Sequence, residues 1–150
     1  MKVRDFMITN VFTVTPLTTV RDLLSVLNSN RIGGVPVVDE KGNLAGMVSD
    51  GDVLRYLAPK LMGVAGLVYM IDDGEIEDVI KEKLNTPVKE IMTKRNLLFV
   101  SPNEDFETVL RLLSQHRLKK LPVLNRAGRV IGVISRGDII DNISKKIIPS

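Results

Sequence analysis

Between positions 20 and 27 the apolar residues Val20, Leu23, Leu24 and Leu27 fall at i, i+3, i+4 and i+7, the spacing of one buried helical face. Phe106, Val109, Leu110 and Leu113 repeat that spacing 86 residues later. Downstream of each helix the period changes. "VPVVDEKGNLAGMVS" and "LPVLNRAGRVIGVIS" read as strand, turn, strand, with Gly42 or Gly128 in the turn of a β-hairpin. Upstream, residues 11–14 and 98–100 are short β-branched or aromatic runs ended by Thr-Pro or Ser-Pro, which predicts a strand entering a turn. After each hairpin, "DVLRYL" or "DIIDNI" opens another helix.

The repetition extends to single residues. Pro16 falls on Pro102, Arg31 on Arg117, Pro36 on Pro122, Gly46 on Gly132, Ser49 on Ser135 and Asp52 on Asp138, with no gap from Pro16 to Leu57. "VRDFM" (3–7) matches "VKEIM" (88–92) at an offset of 85, so the second copy carries one extra residue near Arg95 and Asn96. The fold class is α/β, built of two β-α-β-β-α repeats. One such unit of about 55 residues buries too little surface to be stable alone, so the two are expected to pack sheet to sheet about a pseudo-two-fold axis. The chain divides into a first repeat (1–57), a connecting helical insertion (58–86) and a second repeat (87–150). In the insertion Ile76, Val79, Ile80 and Leu84 share a helical face, and Thr86-Pro87 ends the helix. That helix covers the core; alternatively "LMGVAGLVYM" belongs to a homodimer surface. Ser101 or Asn103 is expected to cap the second repeat's first helix, with Glu104 and Asp105 in its first turn.

Composition mainly excludes. A hydrophobic share of 44% with 26% charged residues describes a folded, soluble chain rather than a disordered one. The net charge of +3 is small, and adjacent lysines occur only at Lys119-Lys120 and Lys145-Lys146, so nucleic acid is not an expected partner. With no cysteine there is no disulfide, thiol catalysis or thiolate-bound zinc, and the lone His116, expected on the surface at a helix end, cannot build a metal cluster. The most apolar run, 61–71, is eleven residues long against the about 20 a membrane span needs, and the N-terminus carries no signal-peptide stretch, so the expected location is cytoplasmic. "IDDGE" (71–75) lacks the spacing of a calcium loop and reads as a turn. Ser49 and Ser135 have no histidine in a nucleophile arrangement, so no enzyme is expected.

The positive signal is "GMVSDGD" (46–52) and "GVISRGD" (132–138). Each places a serine where a strand turns into a helix, among N–H groups the helix leaves unpaired, which is a seat for an anion. Gly51 and Gly137 permit close approach to the backbone. The aspartate has two readings on spacing alone. It caps the helix, worth about 1 kcal/mol, or it accepts hydrogen bonds from the vicinal hydroxyls of a ribose.

These linked motifs resemble a tandem pair of cystathionine-β-synthase-type (CBS) domains, a Bateman module. The resemblance covers about residues 3–57 and 88–143 through the paired openings, "TVTP" and "FVSP", "GGVPVVDEKG" and "KKLPVLNRAG", and the two serine-aspartate phrases. It implies a non-enzymatic regulatory and energy-sensing module that binds AMP, ADP or ATP, or S-adenosylmethionine, between its repeats, needs no cofactor, and acts on itself as a homodimer or on a separate effector protein. It further implies that Asp52 and Asp138 hold ribose with Ser49 and Ser135 beside them. Ile32, Gly33 and Gly34, and Leu118, Lys119 and Lys120, then line base and phosphate, while Thr13 and Val14, or Phe99 and Val100, border the adenine. Neither Ile32 nor Leu118 is aromatic, so base contacts are aliphatic. The lysine pair makes the clefts unequal, with the Asp138 cleft the tighter phosphate site unless the lysines merely solvate a strand end. A ligand-free scaffold domain is the alternative.

Overall fold

The computed structural model describes residues 1–59, 73–116 and 118–149. The first repeat runs α1 (Val20–Asn30), β1 (Gly34–Val38), β2 (Leu44–Ser49) and α2 (Asp50–Leu57); α3 (Asp73–Lys83) lies between the repeats. The second runs α4 (Phe106–Gln115), β3 (Lys120–Leu124), β4 (Val130–Ser135) and α5 (Arg136–Asn142), closed by a π-helical turn at Ile143–Ile147. β1 pairs antiparallel with β2 (Val35 opposite Val48), and β3 with β4 (Leu121 opposite Ile134). The strands expected at 11–14 and 98–100 shrink to single parallel bridges, Val14 to Val37 and Val100 to Val123. From each run one valine bonds its own repeat's hairpin: Val14 N–H donates to Pro36 O and its carbonyl accepts from Val38, as Val100 does with Pro122 and Leu124.

Each repeat has its own core. Val20, Leu23 and Leu27 of α1 meet Val35, Val37, Val48 and Val53; Val109 and Leu113 of α4 meet Leu121, Val123, Ile134 and Ile139. Leu110, expected on the buried face, is 43% exposed, because Val109 and Leu113 take the side of α4 that packs into the core. The cap of α4 also differs from expectation. Asp105 is its N-cap, without a side-chain cap bond, and Ser101 Oγ instead accepts from Asn103 N–H in the preceding turn. His116 is exposed at the C-cap of α4.

The two openings exchange cores. Val3 is fully buried in the second repeat's core and Val88 in the first's. The bonds that hold them are reciprocal: Val3 and Arg4 donate to Glu104 O and Pro102 O, while Val88 and Lys89 donate to Thr18 O and Pro16 O. Beyond each opening the chain adds a two-bond bridge to the other repeat's hairpin, Ile8 with Val133 and Thr93 with Met47, at 2.8 to 3.0 Å. The hairpin tips close the figure, Leu44 N–H donating to Gly128 O and Val130 N–H to Gly42 O. Each of these bonds has its counterpart in the other repeat. The extra residue of the second copy is taken up near Asn96, which stands at φ 54° in the left-handed region that asparagine tolerates.

In α3, Ile76, Val79 and Ile80 are half-buried, as is Leu84 just past its end, which packs on the first core. Lys83 Nζ donates to Tyr56 O at 2.8 Å, and the Tyr56 and Thr86 hydroxyls meet at 2.6 Å. "LMGVAGLVYM" lies outside the described residues, as do 71 and 72 of the stretch read as a turn; from Asp73 that stretch is already α3. Among the described residues no helix is long and apolar enough to cross a membrane.

The hairpin turns place Gly42 and Gly128 at φ 84° and 85°, where a Cβ is strained. Beside them Asp39 Oδ1 accepts from Lys41 and Asn43 N–H, and Asn125 Oδ1 does the same for Ala127 and Arg129. Donation from the Asn43 backbone holds the Asp39 carboxyl below its ordinary value. A lowered acid stabilises the fold above its unfolded value of about 3.9 and loses that contribution as pH falls through the folded value. Asp39→Asn copies the second repeat. Its Tm at pH 7 is expected within about 2 °C of wild type, and its loss of Tm between pH 4 and 2 smaller; an equal loss on that titration contradicts the turn's role.

Candidate functional site

At the start of α2, Ser49 Oγ accepts from Asp52 N–H at 3.3 Å while Asp52 Oδ2 accepts from Ser49 N–H at 2.9 Å and Ser49 Oγ at 3.1 Å. This reciprocal box satisfies two orphan donors of the helix. Ser135 and Asp138 repeat it at 3.2 and 2.8 Å at the start of α5. Capping therefore uses one carboxylate oxygen of each aspartate and leaves the other for further work. At Asp52 that oxygen, Oδ1, meets Arg55 Nη2 at 2.9 Å, and Arg55 is 73% exposed. Gly51 makes room for it, because a Cβ there meets the Arg55 guanidinium at 3.0 Å; at Gly137 a Cβ meets only Ser135 Oγ, at 3.7 Å.

Two cavities flank the seam between the repeats. The larger, about 760 Å³, collects Ile32, Gly33, Gly34, Ser49 and Asp52 from the first repeat and Leu118, Lys119, Lys120 and Ser135 from the second. The smaller, about 160 Å³, contains Asp138 and shares Ile32, Lys120 and Ser135. Thr13, Val14, Phe99 and Val100 line neither: Val14 and Val100 are buried in the cores, Thr13 is exposed and Phe99 is 55% exposed. The chain just before those valines takes part instead, and it does so across the axis. Asn96, Leu97 and Leu98 line the Asp52 cavity, and Asn10, Val11 and Phe12 line the Asp138 cavity. Sequence reasoning missed these residues, together with Thr93, Arg31, Arg55 and Arg136 on the larger wall. The exchanged openings carry 8–12 and 93–98 to the opposite hairpin, and repeat alignment does not reveal that exchange.

Charge also falls differently from expectation. Lys119 lines the larger cavity, not the Asp138 one, with Nζ 3.8 Å from Asp50 Oδ1. Lys119 thus faces the first repeat's aspartate, while Lys120 lines both cavities and keeps the expected place beside Asp138. Lys120 Nζ donates to Gly34 O at 2.9 Å; burial pushes its ammonium below the ordinary lysine value, and the Asp138 carboxylate opposes that shift. Among the described residues, Arg31, Arg55, Lys119, Lys120 and Arg136 thus surround a space whose wall holds one carboxylate, Asp52. Ile32, Met47, Leu97, Leu98 and Leu118 add an apolar part. The chemistry fits a ligand with a flat apolar end, a hydroxylated middle and an anionic end. Among the described residues no group of three or more Asp, Glu or His is placed to hold a metal ion.

Known proteins resemble this arrangement over nearly the whole chain. The description of the CBS domain family matches residues 3–59 and 88–145. The CBS domain-containing protein YhcV of Bacillus subtilis is 31% identical over 93% of this chain and 84% of its own length. The chloroplastic CBS domain-containing protein CBSX2 of Arabidopsis thaliana is 30% identical over 92% of this chain, which spans 61% of that protein. A crystal structure of CBSX2 in complex with AMP superposes with a TM-score of 0.75 at 29% identity, covering 98% of both chains.

Proposed function

The chain belongs to the CBS domain family as a tandem pair, and from that premise we propose that it is a non-enzymatic regulatory module binding AMP, ADP or ATP in the larger cleft. The observation that carries this reading is the meeting, in one cavity of about 760 Å³, of an apolar slot, the Asp52 carboxylate and five cations from both repeats. The base lies among Ile32, Leu97, Leu98 and Leu118. The ribose hydroxyls take Asp52 Oδ1, and Arg55, released from that oxygen, turns with Lys119 and Arg136 to the phosphate, where charge-assisted bonds are worth about 1.5–3 kcal/mol each. AMP bound to CBSX2, a relative of the same fold, supports the ligand class. S-adenosylmethionine is less suited, because its sulfonium would enter a ring of cations. A nucleotide wedged between the repeats changes the packing presented to a second copy or to an effector protein in the cytoplasm, with a coupling limited to the ligand's preference for one arrangement, about 1–3 kcal/mol.

Thermal melting with added nucleotide tests the reading. AMP at about a hundred times its dissociation constant is expected to stabilise the fold by about 2.7 kcal/mol. No shift with AMP, ADP or ATP at millimolar concentration leaves the scaffold reading in its place.

A further inference from the structure

The two cavities are unequal although one sequence pattern builds both. Their common wall is Ile32, Lys120 and Ser135. Under the repeat, Ile32 answers to Leu118 and Ser135 to Ser49, but Lys120 answers to Gly34, a residue with no side chain. The lysine uses that difference. Its stem crosses the seam and its ammonium donates to the carbonyl of the very residue it replaces under the symmetry, Gly34 O, at 2.9 Å. Gly34 cannot return the gesture, since a Cβ there meets Val48 O at 3.1 Å and Ser49 Cα at 3.5 Å. One repeat therefore supplies the crossing side chain and the other supplies its acceptor.

Behind Lys120 stands Asp138. Its Oδ2 accepts from Ser135 N–H at 2.8 Å, and its other oxygen receives no hydrogen bond among the described residues. The carboxylate is placed as Asp52 is, yet the space before it is about 160 Å³, below the about 300 Å³ at which ligand pockets begin.

We propose that Lys120 is a built-in stopper that limits the chain to one nucleotide, its stem filling the space a second nucleotide needs against Asp138. The proposal rests on the nucleotide reading of the larger cleft and adds its stoichiometry. Removing the stem opens the wall between the cavities and exposes the idle Asp138 oxygen to a second ribose. Loss of charge alone does not, because the volume remains.

Calorimetric titration of the full chain with AMP reads the number of sites directly. Wild type is expected to take one AMP per chain, Lys120→Met one, more weakly because the larger cleft loses a cation, and Lys120→Gly, which copies the first repeat, two. Lys120→Ala, gentler on the strand, is expected to take two as well and serves if the glycine variant does not fold. Two sites in wild type or in Lys120→Met, or one site in a folded Lys120→Ala, overturns the stopper. Wild type that takes no AMP fails at the earlier step and removes the nucleotide reading with it, a result distinguishable from a wrong site count.

Discussion

Gly46→Ala is expected to lower Tm by about 3–10 °C, and Gly132→Ala by a smaller margin of about 2–4 °C. Both glycines are buried in second hairpin strands, where the crossing chain from the other repeat passes over them. A Cβ at Gly46 meets Thr93 O at 2.8 Å and Met92 Sδ at 2.8 Å. Thr93 cannot yield without breaking the pair of bonds it makes with Met47, at 3.0 and 2.8 Å. At Gly132 the Cβ meets Met7 Sδ at 2.8 Å but Ile8 O only at 3.2 Å, so a flexible thioether absorbs most of the crowding. Overpacking of this kind costs about 1–3 kcal/mol. The two substitutions are chemically identical and sit at matched positions, so their ranking isolates the approach of the crossing backbone. Equal losses on paired melts, or none, contradict the exchange of openings.

The larger effect on binding belongs to the aspartates. Asp52→Ala is expected to weaken AMP binding about tenfold to a hundredfold, the loss of hydrogen bonds to a charged acceptor worth about 1.5–3 kcal/mol. Asp138→Ala is expected to leave the affinity within about threefold. Both variants forfeit a helix-capping box, Asp52 the bond from Ser49 N–H and Asp138 the bond from Ser135 N–H, so each loses about 0.5–2 kcal/mol of stability. The exposed Arg55 pair adds little to that cost. Comparable melts with unlike affinities separate a carboxylate that holds a ligand from one that only holds its helix. Comparable affinities from two separate titrations remove Asp52 from the ribose.

Much of this was legible from local pattern because local physics imposed it. The hairpin glycines had to reach positive φ, Ser49 and Asp52 had the three-residue spacing of a capping box, and α1 carried its core face at helical intervals. The family followed from the order of such motifs, and the match over 3–59 and 88–145 bears it out. What local pattern could not carry was the path between repeats. "VRDFM" and "VKEIM" look alike whichever core receives them, and Val3 and Val88 are buried in the opposite ones. The same exchange moved Asn96–Leu98 and Asn10–Phe12 onto cavity walls and left Thr13 and Phe99 outside. The lysine pair was read as serving Asp138 because it lies in the same repeat; the seam instead turns Lys119 to the Asp52 side. Leu110 and the Asp105 cap show the smaller error, a helix face and start set by tertiary contacts at their margins.

The central claim is that a nucleotide lies in the larger cleft and touches both repeats. A crystal structure of the chain grown with saturating AMP tests it most directly. The account predicts the ribose on Asp52, the phosphate among Lys119, Arg55 and Arg136, and the base between Ile32 and Leu118. AMP seated elsewhere on the chain, or a cleft that stays empty at saturation, contradicts it.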